Sequence, residues 1–208
     1  MRKVIGRLQV LTDLDVPADP LGAVDAALAA GAPVIQVRAK ALTDRALFAL
    51  AEAVVMRCRV AGATSLLDDR VDIALATGAD GVHLGDDDLP VDVARRLLGH
   101  EAIIGATARD VAAGRARVAE GADYLGVGPT YATTTKTGLP SALGPAAVGA
   151  VAAAVAVPVI AIAGITLDRV PEVLAAGVHG VAVVGAVSRA DDPGRATADL
   201  LAAIEATP

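Results

Sequence analysis

The chain has 208 residues, of which 54% are hydrophobic and 20% charged, with a formal net charge of −6 and an isoelectric point near 5.0. This composition supports a large buried core, excludes a disordered chain and, without a basic run, predicts no nucleic-acid partner. The single cysteine, Cys58, excludes an intrachain disulfide, while the lack of a long apolar run and of a secretion signal predicts a cytoplasmic protein with no membrane partner.

Eight short segments rich in β-branched residues recur along the chain. They are mostly apolar and lack clean alternation, which is typical of parallel strands covered on both faces. The predicted strands are residues 7–12, 33–38, 64–68, 80–85, 102–107, 123–128, 158–164 and 180–185.

Alanine-rich segments between the strands predict helices, and two of them have clear end signals. Residues 20–31 end on a glycine, while residues 42–62 begin with the N-cap candidate Thr43 and end on Gly62. Eight strand–helix units in about 200 residues predict one domain over residues 1–208, an α/β fold consisting of a single (β/α)8 TIM barrel. A doubly wound open sheet is the alternative, although it usually has fewer strands for this length.

A barrel places the carboxyl ends of its strands at one rim, where the active sites of this fold lie. Polar or glycine residues follow most of the predicted strands, so we expect a functional rim. Gln36, Arg38 and Lys40 alternate along an extended segment and therefore project to the same side. The candidates from later strands are Asp68, Asp69, Asp88, Thr107, the loop at 130–138, Gly164, Val184 and Gly185.

Asp69 and Asp88 follow adjacent predicted strands, so their carboxylates can meet at the rim. One or two carboxylates, completed by water and phosphate oxygens, are the usual protein ligands of Mg²⁺. Each aspartate also precedes a predicted helix, where aspartate is a favoured N-cap. The sequence therefore leaves two interpretations of these aspartates: a magnesium site, or a pair of helix N-caps.

The loop at 130–138, TYATTTKTG, places Lys136 among threonines, although the chain has only three lysines. Together with Arg38 and Lys40, this lysine would put three cations around a divalent metal, an arrangement suited to a pyrophosphate. The threonine hydroxyls could donate to phosphate oxygens. A solvated basic turn is the alternative for Arg38 and Lys40, and an ordinary loop is the alternative for the threonines.

Gly164 and Gly185 stand where the last two predicted strands meet their helices. Barrels often bind a phosphate at this place through main-chain N–H groups. Plain turn geometry, for which glycine supplies a positive φ, is the alternative. A glycine-lined phosphate site and a separate cluster of metal and cations would together take two phosphorylated small molecules.

The chain resembles the thiamine-phosphate synthase family over nearly its whole length. Five stretches carry the resemblance by their order and spacing: QVRAK, LLDDRVDIALATGADGVHLGDDDL, GADYLGVGPTYATTTKTG, PVIAIAGIT and AAGVHGVAVVGAVSRADDP. The resemblance implies a magnesium-dependent transferase of thiamine biosynthesis with a TIM-barrel fold. It would join 4-amino-5-hydroxymethyl-2-methylpyrimidine diphosphate to a thiazole phosphate and release pyrophosphate, with no protein nucleophile.

The same resemblance implies a role for individual residues. Asp69 and Asp88 match the magnesium ligands, and Arg38, Lys40 and Lys136 match catalytic cations that stabilise the leaving diphosphate. The other expected substrate contacts are Gln36, Asp68 and Thr107 for the pyrimidine diphosphate, Val37 and Ala39 within QVRAK, and Thr133, Thr134, Thr135, Gly164, Val184 and Gly185 for the thiazole phosphate.

The chain departs from the family pattern at several positions. Asp68 stands where asparagine is common, and its extra negative charge would repel a diphosphate unless magnesium or Arg70 neutralises it. The other departures are Asp86 for glutamine, Thr107 for serine, Arg109 for histidine and Gly185 for serine.

Two rival functions and the quaternary structure stay open. A thiazole tautomerase has the same fold, but its key histidine would fall at Pro129. A thiazole-phosphate-binding protein without turnover would fit the acidic departures. A homo-oligomer is compatible with the sequence. His83 and Cys58 are expected in the core, the histidine with hydrogen bonds.

Overall fold

The computed structural model describes residues 5–12, 14, 20–133, 138 and 140–207, and in this part of the chain eight parallel strands form a closed barrel. Each strand pairs with the next in chain order, and the first strand closes the barrel by pairing Leu8 with Val181 of the last. The prediction of a (β/α)8 TIM barrel is confirmed, and the doubly wound alternative is wrong.

All eight predicted strands are present, each within about two residues of its expected ends. The strands are β1 (Leu8–Leu11), β2 (Val34–Val37), β3 (Thr64–Asp68), β4 (Gly81–Leu84), β5 (Ile103–Ala108), β6 (Tyr124–Val127), β7 (Val159–Ile162) and β8 (Gly180–Val183). The helices are α1 (Pro20–Ala29), α2 (Asp44–Ala61), α3 (Val71–Thr77), α4 (Val91–Leu98), α5 (Val111–Ala119), α6 (Pro145–Ala154), α7 (Val170–Ala175) preceded by a 3₁₀ turn (Leu167–Arg169), α8 (Gly185–Ser188) and α9 (Pro193–Glu205).

Helix α2 has the ends that its sequence predicts. The hydroxyl of Thr43 accepts a hydrogen bond from the Ala46 N–H at 3.4 Å, which satisfies one donor of the first turn. Gly62 adopts a left-handed conformation with φ 72° and stops the helix. Cys58 is buried on the inner face of this helix, as expected.

Strand residues alternate between two apolar layers. One set points outward and packs against the helices, as Ile35 and Val37 do. The other set points into the barrel, where Val34, Leu66 and Tyr124 share a smaller cluster. Because the two sets alternate, the inward residues at the carboxyl ends of the strands face the rim.

Two inward glycines make room for the bulkiest groups of the barrel interior. A Cβ atom at Gly105 would lie 2.1 Å from Cζ of Tyr124, which is fully buried. A Cβ atom at Gly126 would lie 2.7 Å from Cε1 of His83. The tyrosine and the histidine therefore fill the space beneath the rim.

In the described part of the chain, no helix has the length and apolar character needed to span a bilayer.

Candidate active site

A cavity of about 600 Å³ opens at the carboxyl ends of the strands. Its lining crosses the barrel mouth from the ends of β2 and β3 to those of β7 and β8. The predicted site residues that line it are Gln36, Arg38, Lys40, Asp68, Asp69, Thr107, Thr133, Gly164, Val184 and Gly185. The structure therefore brings most of the described candidates to one place.

The cations of β2 pair with the carboxylates that follow β3. Nζ of Lys40 lies 2.6 Å from Oδ2 of Asp69, and Nε of Arg38 lies 3.4 Å from Oδ2 of Asp68. Burial lowers the pKa of Lys40, but its hydrogen bond to Asp69 and the charges of three aspartates outweigh this effect and raise it. Lys40 is therefore a protonated cation at neutral pH.

Asp69 and Asp88 face each other beside this cluster. Asp69 has a positive φ of 65°, and its N–H donates to the His83 carbonyl at 2.9 Å. Oδ2 of Asp88 accepts from the Gly85 N–H at 2.6 Å. Burial raises the pKa of Asp88, and its direct contact with the Asp69 carboxylate raises it further, while Gly85 and Lys40 act in the opposite direction.

Neither aspartate caps a helix, so the N-cap alternative is wrong for both. The N-cap positions of α3 and α4 are Arg70 and Pro90. Among the described residues, no group of three His, Cys, Asp or Glu side chains is arranged to hold a metal ion. A divalent cation on the Asp69–Asp88 pair would need water or ligand oxygens to complete its coordination.

The extra carboxylate at Asp68 has different partners from those expected. Oδ1 of Asp68 accepts a hydrogen bond from Nε2 of Gln36 at 3.0 Å, in addition to the ion pair with Arg38. Of the two neutralising groups considered, magnesium and Arg70, the arginine is excluded, because its guanidinium is bound to Asp72 and Asp44, each at 2.7 Å. Both described cations predicted to bind the diphosphate, Arg38 and Lys40, are thus paired with acids of the chain itself.

Two other departures from the family pattern have partners away from Asp69 and Asp88. Oδ1 of Asp86 lies 3.2 Å from the guanidinium of Arg117 on α5, and Asp86 does not line the cavity. The Arg109 guanidinium donates to the carbonyls of Gly128 at 3.4 Å and Ser141 at 3.2 Å. Arg109 therefore ties the end of β5 to both sides of the β6–α6 connection.

His83 joins the interior of the barrel to the cavity. Its Nδ1 lies 3.0 Å from the Tyr124 hydroxyl, and its Nε2 lies 3.1 Å from Oγ1 of Thr107. The predicted hydrogen-bonded histidine is found, but it also lines the cavity, which sequence reasoning missed. Burial raises the pKa of Tyr124, so this hydroxyl stays protonated.

The opposite side of the cavity contains two arginines that were not predicted, Arg169 and Arg189. Nη1 of Arg169 donates to the Gly164 carbonyl at 2.6 Å, and its guanidinium carbon lies 4.4 Å from the ring centroid of Tyr131. Gly164 has φ 68°, so the predicted glycine turn after β7 is present. Each arginine lies four or five residues after the glycine at its strand end, a spacing that could have revealed them.

Five predicted site residues remain to be placed. Val37 and Ala39 do not line the cavity, because their side chains are buried in the layer between the strands and the helices. Only their main-chain atoms remain for a ligand. Thr134, Thr135 and Lys136 lie outside the described residues.

Comparisons with known proteins agree with the geometry. Residues 8–187 match the family model described as thiamine monophosphate synthase. The thiamine-phosphate synthase of Salinispora tropica is 52% identical over 203 residues, covering 96% of this chain and 98% of the relative, and that of Chlorobium luteolum is 45% identical over 200 residues, covering 96% and 93%. The solved structure of thiamine phosphate pyrophosphorylase from Pyrococcus furiosus has 36% identity and a TM-score of 0.88, with 96% of each chain covered.

Proposed function

Because the chain belongs to the thiamine monophosphate synthase family and has its thiamine-phosphate synthase activity, a transferase step of thiamine biosynthesis, we propose how its barrel rim performs the reaction. The substrates are 4-amino-5-hydroxymethyl-2-methylpyrimidine diphosphate and thiazole phosphate. The products are thiamine phosphate and pyrophosphate. The two sides of the cavity bind one substrate each.

The diphosphate binds at the ends of β2, β3 and β5. Arg38 and Lys40 supply positive charge there, and Gln36 and Thr107 supply neutral hydrogen-bonding groups in the same cavity. An arginine fork and a lysine point charge suit the terminal oxygens of a diphosphate. Lys136 would add a third cation from its loop, as the family resemblance implies.

The pair formed by Asp69 and Asp88 fits a magnesium ion. Two carboxylates in direct contact are unfavourable unless a cation or a proton lies between them, which agrees with the raised pKa of Asp88. Their oxygens are the hard ligands that Mg²⁺ takes, and substrate oxygens and water would complete the shell. Held there, Mg²⁺ would neutralise negative charge on the diphosphate.

The reaction breaks the bond between the pyrimidine methylene carbon and the diphosphate oxygen, and its electron pair leaves with the pyrophosphate. The electron-rich aminopyrimidine ring stabilises the resulting methylene cation. The thiazole nitrogen then donates its lone pair to this carbon and forms the new C–N bond. The protein neither gives nor takes a proton in these steps, so its task is to stabilise charge and hold the two rings together.

Thiazole phosphate binds at the opposite side, at the ends of β7 and β8. Gly164, Val184 and Gly185 line the cavity there, and Thr133 approaches from the β6–α6 connection. A Cβ atom at Gly164 would lie 2.7 Å from the Ala132 carbonyl oxygen, so only glycine fits this turn. Exposed main-chain N–H groups at such a turn are suited to a phosphate.

One observation carries the proposal: Asp69, with Asp88 beside it, and two cations line one side of a cavity whose other side is lined by glycines. Thiamine phosphate formation from the two substrates, measured with and without Mg²⁺, tests it. Asp69→Asn is expected to lower kcat/KM by about 100-fold or more at any Mg²⁺ concentration.

Asp86→Asn is the matched control for this change, since it removes an equal charge from a residue that pairs with Arg117 outside the cavity. We expect it to keep kcat/KM within about threefold of the unmodified chain. Near-normal turnover by Asp69→Asn, with unchanged thermal stability, would contradict the proposed metal site.

The rival functions make different predictions. A thiazole-phosphate-binding protein would bind that substrate without releasing pyrophosphate, and the same assay separates the two. A thiazole tautomerase would need a histidine where Pro129 lines the cavity. The cytoplasmic location and the oligomeric state stay predictions.

A further inference from the structure

His83 lies between the buried interior of the barrel and the cavity, and it takes no part in the mechanism proposed above. Its Nε2 lies 3.1 Å from Oγ1 of Thr107, one of the groups assigned to the pyrimidine diphosphate. We propose that His83 is a positioning residue, whose Nε2–H donates to the Thr107 hydroxyl and so directs the Thr107 proton to a diphosphate oxygen. The inference rests on the proposed function, which places the diphosphate at the end of β5.

The direction of the hydrogen bond between His83 and Thr107 decides what the threonine can do. A threonine hydroxyl has one proton to donate and lone pairs with which to accept. If Nε2 of His83 accepted that proton, none would be left for the substrate. If Nε2 donates instead, the proton of Thr107 is available to a ligand in the cavity, which both residues line.

The hydroxyl of Tyr124 favours donation by Nε2. It lies 3.0 Å from Nδ1 of His83, its hydrogen-bond partner in the described part of the chain. Burial raises the pKa of Tyr124, so the hydroxyl keeps its proton, and a fully buried proton needs an acceptor. Nδ1 can accept it only without a hydrogen of its own, and a neutral imidazole then carries its hydrogen on Nε2.

Two neighbouring side chains agree with this direction. Burial and the charge of Asp68 raise the pKa of Tyr124, whereas Gln9, acting as a donor to the hydroxyl oxygen, lowers it. Among the described residues, Nε2 of Gln9 has no acceptor at ordinary hydrogen-bond distance, so this donation is long and weak. Asp68 is the register partner of His83 on β3, and a negative charge there favours hydrogen on the ring nitrogens.

The threonine at position 107 adds a second restraint. Serine is common at this position in the family, but threonine is β-branched and therefore has fewer side-chain rotamers on a strand such as β5. The stiff side chain and the donor from His83 together fix the hydroxyl before the substrate arrives. A donor fixed in this way can stabilise charge on the leaving diphosphate without reorganising during the reaction.

Nitrogen-15 NMR of the histidine rings tests the direction of the bond without substrates. The chain has three histidines, so the variants His100→Gln and His179→Gln assign the signals and leave His83 unmodified. At the pH of the activity assay, Nε2 of His83 should have the chemical shift of a protonated ring nitrogen. An Nε2 without hydrogen would overturn the proposal, and this result depends on no variant at position 83.

Steady-state kinetics tests what the bond does for the reaction. Thr107→Val should lower kcat about 10- to 100-fold, the usual loss for a hydrogen bond to a charged group. His83→Leu should lower kcat about 3- to 10-fold, because the hydroxyl remains but is no longer oriented. If Nε2 were an acceptor, His83→Leu would free the Thr107 proton and raise kcat. His83→Gln keeps an N–H donor and should recover at least part of the loss.

A double variant separates positioning from a general structural effect. In Thr107→Val, the further change His83→Leu should lower kcat by less than about twofold, because the hydroxyl through which His83 acts is already missing. Additive losses would overturn the proposal. His179→Leu is the matched control, since His179 is also partly buried but its Nε2 donates to the Ile5 carbonyl at 3.1 Å, at the amino-terminal end of the barrel. Its kcat should stay within about threefold of the unmodified chain.

The two measurements keep this inference distinct from the proposed function. If the unmodified chain makes no thiamine phosphate, the proposed function fails, and a protonated Nε2 still supports the hydrogen bond from His83 to Thr107. If the chain makes thiamine phosphate and Nε2 has no hydrogen, the proposed function stands and the positioning role of His83 is overturned.

Discussion

Replacing Asp68 by asparagine should improve binding of the pyrimidine diphosphate. The substitution keeps an oxygen for the hydrogen bond from Gln36, which is 3.0 Å long, and keeps the shape of the side chain. It removes the negative charge that lies 3.4 Å from Nε of Arg38. Arg38 then loses its partner within the chain and is left to bind the diphosphate.

The expected size of the effect follows from the separation of the charges and their exposure. A carboxylate about 6 Å from one diphosphate charge costs ~3 kcal/mol at an effective dielectric constant of about 20. The Arg38 side chain is 28% exposed and that of Asp68 11%, so water and ions screen part of this energy. About half of it, ~1.4 kcal/mol, gives a KM for the pyrimidine diphosphate roughly tenfold lower.

A loss of stability should accompany this gain. A partly exposed ion pair contributes up to about 1 kcal/mol, so the melting temperature should fall by roughly 2 to 4 °C. Initial rates of thiamine phosphate formation, measured against the pyrimidine diphosphate at saturating Mg²⁺, give the KM. Asp199→Asn on α9, which removes a remote charge paired with Arg195, is the control.

The opposite result would refute the electrostatic reasoning. If Asp68→Asn raises the KM for the diphosphate or increases the Mg²⁺ concentration needed for half-maximal rate, Asp68 assists the metal or orients Arg38 rather than repelling the substrate. An unchanged KM with a lower melting temperature would show that the pair with Arg38 is structural alone.

Two other changes give independent tests. Lys136→Ala should lower kcat by about 100-fold or more while the KM for thiazole phosphate stays within about threefold, because a cation on the leaving group acts mainly in the transition state; near-normal turnover would exclude this role. Gly105→Ala should lower the free energy of unfolding in urea by about 3 kcal/mol or more, since the new Cβ would lie 2.1 Å from Cζ of the buried Tyr124. Gly194→Ala, whose Cβ would have no neighbour nearer than 3.4 Å, is the control, and equal losses in both variants would contradict the packing argument.

The fold could be predicted because its signals are local and repeated. Each strand of a parallel barrel is buried on both faces and therefore has a short apolar sequence. Helices α1 to α5 and α7 each end within two residues of a glycine. The cap at Thr43 and the stop at Gly62 depend only on neighbouring residues, so both were predictable. Strand ends differ by one or two residues because main-chain pairing, not side-chain type, sets the last hydrogen bond.

The rim was predictable as a set of residues but not as a set of contacts. The sequence shows that Asp68 lies at the carboxyl end of β3. Whether Asp68 forms its ion pair with Arg38 or with Arg70 depends on the positions of Asp44 and Asp72 in the fold, since these two acids bind Arg70. His83 was expected within the core because strand position alone does not tell how near the rim a side chain lies.

The two arginines of the cavity that were not predicted, Arg169 and Arg189, show a different limit. Arg169 and Arg189 belong to segments after the strand ends, where helical geometry decides whether a side chain turns back over the barrel mouth. Neither falls in a position that the resemblance marks as a ligand contact. Their spacing from Gly164 and Gly185 is a signal in the sequence, but only the three-dimensional arrangement shows that both side chains line the cavity.

The pairing of Leu8 with Val181 also determines when the protein can finish folding during its synthesis. A ribosome adds about 5 to 20 residues per second, so roughly 10 to 35 seconds pass between the appearance of the first strand and that of its closing partner. Throughout that interval the nascent sheet has free edges that can pair with other chains. Slow translation lengthens this interval, so the yield of active enzyme should depend on how well these edges are shielded during synthesis as well as on the stability of the completed barrel.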